Sequence, residues 1–129
     1  MKKLTLTLSL VFTVTLSSPS YAEWTRVVEN TYGDTFYVDF GSIKRNRRYV
    51  TWEQIGDFLR PTKYGDRSGK LYIKGDCKSH RIKRLSSRHY TKQMGRGTPS
   101  AYNNKPEKKW VYPPSNSPGK TVLKAVCNH

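Results

Sequence analysis

Two cysteines, three histidines and an excess of lysine and arginine are the residues of this chain whose types could carry chemistry. Cys77 and Cys127 are its only thiols, and an even count behind an export-type leader reads first as a disulfide, because exported chains mature in oxidising surroundings. Closing a loop of this length contributes about 4 kcal/mol in the chain-entropy model. The alternative is a metal. His80 follows Cys77 and His129 follows Cys127 at short range, a nominal two-Cys, two-His zinc set. A third chemistry is proton transfer in a small basic nuclease, with His80 and His89, or a histidine with Glu53, as acid and base and cations holding phosphate. No Gly-rich phosphate loop, nucleophile elbow or metalloprotease helix motif accompanies them, so the expectation is a noncatalytic chain with neither cofactor nor metal.

The cations form two groups. Lys44, Arg45, Arg47 and Arg48 crowd one short segment, as in a heparin or nucleic-acid patch. Lys70, Lys74, Lys78, Arg81, Lys83, Arg84 and Arg88 are spread over a longer stretch and interleaved with Tyr72 and Tyr90. Aromatic rings beside cations add stacking area to an anion-binding surface, whereas lysines on a sheet also serve to prevent edge aggregation.

The elements that must position these groups follow from a dominant period of two. Trp24 to Glu29 and Thr35 to Asp39 read as strands joined by a Tyr32-Gly33-Asp34 turn. Lys44 to Arg48 reads as a polar turn before a central strand, Tyr49 to Phe58, with Val50, Trp52, Gly56 and Phe58 on one face. A loop from Arg60 to Ser68 precedes a strand from Lys70 to Lys78. In it Leu71, Ile73, Gly75 and Cys77 point one way, and Lys70, Tyr72, Lys74, Asp76 and Lys78 the other. His80 to Thr91 continues the sheet, with a bulge near Lys83 or Arg84 to keep Ile82 and Leu85 facing the core and Arg81, Lys83, Arg84 and Arg88 outward. A hairpin through Lys78-Ser79 would gather the second cation group on one sheet face.

Thr98 to Ser117 is rich in Pro, Asn, Ser and Lys and reads as a long surface loop, anchored only at Trp110 to Tyr112. Ser117-Pro118 is a helix start, an N-cap followed by proline at the first helical position. Val122, Leu123, Val126 and Cys127 then form an apolar stripe that would lie on the face carrying Cys77. The fold class expected is α+β, an antiparallel sheet of five to six strands with a C-terminal helix on one face, closed by one disulfide.

Lys2 and Lys3, the apolar run from Leu4 to Leu16 and the small residues around Ser20-Tyr21-Ala22 read as a cleaved signal peptide over 1–22, leaving 23–129 as one domain. The run is well short of the ~20 residues a membrane span needs, and no second one follows. Position 23 is Glu rather than a lipoprotein Cys, so the expected product is exported and untethered, periplasmic or secreted. Of 24 Lys and Arg, the leader holds two, and it holds none of the nine Asp and Glu, so 22 face nine in the mature chain, a formal +13. Such an excess argues for polyanionic partners: lipopolysaccharide, glycosaminoglycan, nucleic acid or an acidic protein surface.

One further signal is an ordered set: Glu23-Trp24, Tyr37-Val38-Asp39, Ser42-Ile43-Lys44-Arg45, Val50, Trp52, Asp57, Ser68, Lys70, Asp76-Cys77, Met94-Gly95, Pro113 and Leu123 to Cys127. It spans nearly the whole mature chain and resembles the surface-adhesin protein E family of bacterial exported proteins. The resemblance implies a small antiparallel sheet with a helix, a Cys77–Cys127 bridge and a Gram-negative source. It also implies adhesion, through binding to host extracellular-matrix and plasma proteins and cell surfaces.

Overall fold

The computed structural model describes residues 22–129 and, before them, positions 3, 5, 7 and 9–11. The expected leader otherwise falls outside the described residues. Among the described residues five strands run β1 (Trp24–Glu29), β2 (Thr35–Asn46), β3 (Tyr49–Asp57), β4 (Ser68–Asp76) and β5 (Arg81–Tyr90), followed by a 3-10 turn (Gln93–Gly95) and one helix, α1 (Pro118–Cys127). The strands pair antiparallel in chain order, which makes β3 central. Among the described residues no helix is long and apolar enough to cross a membrane.

Alternation along β3 and β4 divides the sheet into two faces. Val38, Val50, Trp52 and Ile73 meet Val122, Leu123 and Val126 of α1, and each is nearly or wholly buried. Fully burying a side chain of this size is worth about 1.5–3 kcal/mol, so this layer supplies the main driving force. Gly75 lets the helix approach. A Cβ there would lie 2.8 Å from both Leu123 Cδ1 and Trp52 Cζ3. The helix starts as its sequence predicts, with Ser117 Oγ accepting from Lys120 N at 3.2 Å. At its other end the Arg45 guanidinium donates to the carbonyls of Val126, Cys127 and His129 at 2.9, 3.0 and 3.1 Å, a cation where the helix dipole favours one. The Cys77–Cys127 disulfide, with Cα atoms 5.8 Å apart, ties that end to the β4–β5 turn. Both sulfurs are thereby removed from any zinc set, and His129 lies instead against the Phe40 ring.

Three expectations need correction. β2 does not stop at Asp39; it bulges from Phe40 to Ile43 opposite Trp52 and resumes through Lys44, Arg45 and Asn46, leaving only Arg47-Arg48 as the turn. Ser42 plugs the bulge, donating to Asp39 O at 2.6 Å and accepting from Glu53 N at 2.8 Å. The break in alternation is real, but the strand survives it because side-chain oxygen replaces the lost ladder bond. In β5 the extra residue is Leu85, one place later than expected, since Ile73 pairs with Arg84 and Tyr72 with Ser86. β4 ends at Asp76, so Cys77 and Lys78 belong to the turn.

The segment between β5 and α1 is more ordered than a surface loop. It runs antiparallel along the β5 edge through bridges Tyr90–Pro99, Ser87–Asn103 and Ile82–Val111. Glu107 adds two bonds to Arg84, its N donating to Arg84 O and its Oε1 accepting from Arg84 N, both at 2.9 Å. This strap closes one sheet edge that would otherwise present unpaired backbone.

Candidate functional site, the open face of the sheet

The face opposite α1 carries Tyr49, Thr51, Glu53 and Ile55 of β3, then Lys70, Tyr72, Lys74 and Asp76 of β4, and Arg81, Lys83, Ser86, Arg88 and Tyr90 of β5. The unbroken β3–β4 register and the Leu85 bulge in β5 set this membership. Two covers bound it. At one end the turn Gln93–Gly95 closes over Ile55, held by Met94 N donating to Asp57 Oδ1 at 2.9 Å and Gly95 N to Ser68 Oγ at 3.0 Å. At the other, Trp110 of the strap stacks on Tyr49 with ring centres 6.0 Å apart.

Under the Trp110 cover lies Asp76, wholly buried. Arg48 grips it with Nε on Oδ1 at 2.9 Å and Nη2 on Oδ2 at 2.7 Å, and Arg81 Nε reaches Oδ2 at 2.9 Å. Lys78 N and Ser79 N each donate to Oδ1 at 3.1 Å. The Arg48 bonds are the largest influence holding the carboxyl well below the usual carboxylate range; burial opposes them, and the Ser79, Arg81 and Lys78 donors add to them. The same bonds raise the proton affinity of both arginines. Above this hub, Arg81 and Lys83 sit over the Trp110 ring at 4.4 and 4.8 Å, and Lys74 over Tyr49 at 4.7 Å.

Between the covers the face is open and cationic. Lys70 stands directly across from Arg88, and Lys74 directly across from Lys83. Like charges in facing positions destabilise a sheet, each pair by a few tenths of a kcal/mol to ~1 kcal/mol. Glu53 offsets Lys70 from 3.5 Å, and the aromatic rings offset the other pair. Glu53, Lys70, Tyr72, Ser86, Arg88, Tyr90 and Tyr102 of the strap surround a cleft of about 230 Å³.

Seven of the expected residues, Lys70, Tyr72, Lys74, Arg81, Lys83, Arg88 and Tyr90, are brought onto this face, although Arg81 is engaged with Asp76. Arg84 is not: it pairs with Ile73 on the opposite face, and its Nε lies 3.7 Å from Glu107, because the bulge falls after it rather than at it. Lys78 is exposed in the disulfide-bearing turn. The four cations of the Lys44–Arg48 segment separate. Arg45 caps the helix, Arg48 holds Asp76, Arg47 occupies the turn at φ 60°, and Lys44 is exposed on β2.

The nuclease set does not converge. Glu53 lies on the open face and His89 on the other, against Gly69, while His80 sits in the β4–β5 turn roughly 25–30 Å along β5 from His89. Sequence reasoning missed Tyr49, Glu53 and Tyr102 as members of the face and Asp76 as its buried hub. The signal for Asp76 was present, an aspartate at a strand end with Ser79 three residues on, the pattern of a side chain that accepts from the turn behind it.

The model of the surface-adhesin protein E family matches residues 24–128. No curated protein sequence matches the chain. Among solved structures, Haemophilus influenzae protein E in crystal form II aligns with a TM-score of 0.62 at 17% identity, over 85% of this chain and 91% of that one. Its selenomethionine form gives 0.61 at 17%, over 85% and 89%, and protein E from non-typeable Haemophilus influenzae gives 0.57 at 17%, over 86% and 79%. At that identity the likeness is one of fold.

Proposed function

The chain belongs to the surface-adhesin protein E family, and from that premise we propose that it is an exported, noncatalytic binding protein of the adhesin type. Its partners are extracellular-matrix or cell-surface molecules of a host, and it meets them with the open cationic face of the sheet. One observation carries the choice of face: Lys70 opposite Arg88 and Lys74 opposite Lys83 place like charges together where a sheet built only for stability would avoid them. Glu53 and the aromatic rings offset part of that repulsion, and an anionic partner relieves the rest. Solubility alone accounts for scattered lysines, but not for two facing pairs flanked by tyrosines.

We read the leader as directing export, with Glu23 rather than a lipoprotein cysteine opening a mature product that is periplasmic or secreted. The second reading is a periplasmic polyanion-binding protein acting on lipopolysaccharide or nucleic acid, and it rests on the mature charge of +13 derived above. A salt series separates the two. Oxidised protein spanning Glu23 to His129 is passed over immobilised matrix glycoproteins, heparin, lipopolysaccharide and DNA. The adhesin reading expects retention on a matrix protein at physiological salt and its loss in Lys74→Ser/Lys83→Ser. Retention on every polyanion that vanishes together as salt rises supports the second reading instead.

A further inference from the structure

We propose that the cleft between the two covers is a site for one carboxylated sugar, a single pyranose ring bearing one carboxylate at the end of a glycan. The inference rests on the reading of the open face as the binding surface and names what its centre holds. Size comes first. A volume of about 230 Å³ equals roughly seven or eight waters at ~30 Å³ each, and it falls below the ~300–1,000 Å³ that drug-sized ligands occupy. That is room for one sugar ring inside the cleft, with the rest of the glycan lying outside its open mouth.

The lining selects the chemistry. Tyr72, Tyr90 and Tyr102 give the cleft an aromatic wall, suited to the C–H face of a sugar, with phenol hydroxyls for its polar edge. Tyr102 is set in place by the neighbouring bridge, in which Asn103 and Ser87 exchange backbone bonds of 3.0 and 2.9 Å. Arg88 is oriented by its own Nε, which donates to Ser100 O at 3.0 Å and leaves the terminal nitrogens for a two-point bond to a carboxylate. Lys70, directly across the strand, adds the second cation.

Glu53 decides between classes of anion. Its carboxylate lines the same cleft, 3.5 Å from Lys70 Nζ, so a densely charged sulfated chain or phosphate backbone would bring negative charge against it. A sugar with one carboxylate avoids that clash. It places its charge on Arg88 and Lys70 and its hydroxyls on Glu53 and Ser86, both of which can accept.

The test is ligand-observed NMR titration of the oxidised mature protein with four probes: a trisaccharide ending in N-acetylneuraminic acid, a disaccharide ending in glucuronic acid, lactose, and a polysulfated lactose that carries no carboxylate. Binding of either carboxylated probe at least tenfold tighter than lactose and the sulfated probe is expected, and which of the two is preferred identifies the sugar. Arg88→Gln and Tyr102→Ala should each weaken that binding at least fivefold. Tyr102 is more than half exposed, so its variant keeps the fold. Glu53→Gln is the sharpest variant, expected to strengthen the sulfated probe more than the carboxylated one and so to narrow the preference between them. Equal binding of lactose, preference for the sulfated probe, or no binding of either carboxylated probe overturns the proposal. Those results leave the adhesin reading standing if matrix proteins are still retained. Sugar binding without matrix retention supports the cleft and removes the wider face.

Discussion

Asp76 is the residue on which most of the open face depends, because five donors converge on a carboxylate with no solvent exposure. Replacing it by asparagine removes the charge that balances Arg48 and Arg81. Breaking a buried pair costs about 3–5 kcal/mol, and since both arginines keep some solvent contact, about 2–3 kcal/mol is expected for Asp76→Asn in urea unfolding at pH 7. The pH dependence has a definite sign. The folded carboxyl titrates below its unfolded counterpart, so its stabilisation is fully present above the unfolded value near ~3.9 and is lost as pH falls below that toward the folded one. Unfolding midpoints should therefore drop below about pH 4 in the wild type, and Asp76→Asn should lack that component. The cationic turn requires a matching choice of variant. Lys44→Ser/Arg47→Ser tests it for polyanion binding without disturbing structure, whereas Arg45 and Arg48 are committed to the helix end and to Asp76. Earlier elution of that double variant from heparin, with an unchanged unfolding midpoint, is expected.

At the scale of elements, the close contact between α1 and β4 depends on the absence of a side chain at Gly75. Gly75→Ala drives a methyl into Leu123 and Trp52, and overpacking of this kind costs about 1–3 kcal/mol. Leu123→Ala alone should cost about 2–5 kcal/mol through its cavity, as other buried leucines do. Because the new methyl would occupy part of the space vacated, the double variant should be less unstable than the two losses added together. Urea midpoints of the four proteins measure this. The strap makes a different prediction. Its backbone bonds protect the β5 edge, so Asn103→Pro, which deletes the Asn103 N donor to Ser87 O, should speed amide exchange at Ser87 and leave the α1 amides protected.

For the molecule as a whole, the disulfide and the charge excess act in opposite directions. Twenty-two cations against nine acids in the mature chain, counted above, repel one another, while Cys77–Cys127 holds the last helix to the β4–β5 turn across a separation of 50 residues. Reduction, or Cys77→Ser/Cys127→Ser, is expected to cost about 4 kcal/mol, seen as a lower urea midpoint, with the loss growing at low salt as screening weakens. Local period and residue chemistry are enough to specify the alternation of β3 and β4, the Ser117-Pro118 helix start, the apolar stripe from Val122 to Cys127 and the pairing of the only two cysteines. The first three signals act between neighbours one to four residues apart and the cysteine pairing needs only a count of two, so no knowledge of the fold is needed to read them. Which cations share a surface depends on register and long-range contact instead. The Leu85 bulge turns Arg84 off the face, and the Phe40–Ile43 bulge carries β2 on to place Arg45 at a helix end some eighty residues away. The hairpin ends bring Arg48 to Asp76, and the strap swings Trp110 and Tyr102 over strands far behind them. Each of these depends on a one-residue register or a long-range closure, and a period of two is the same on both sides of a slip.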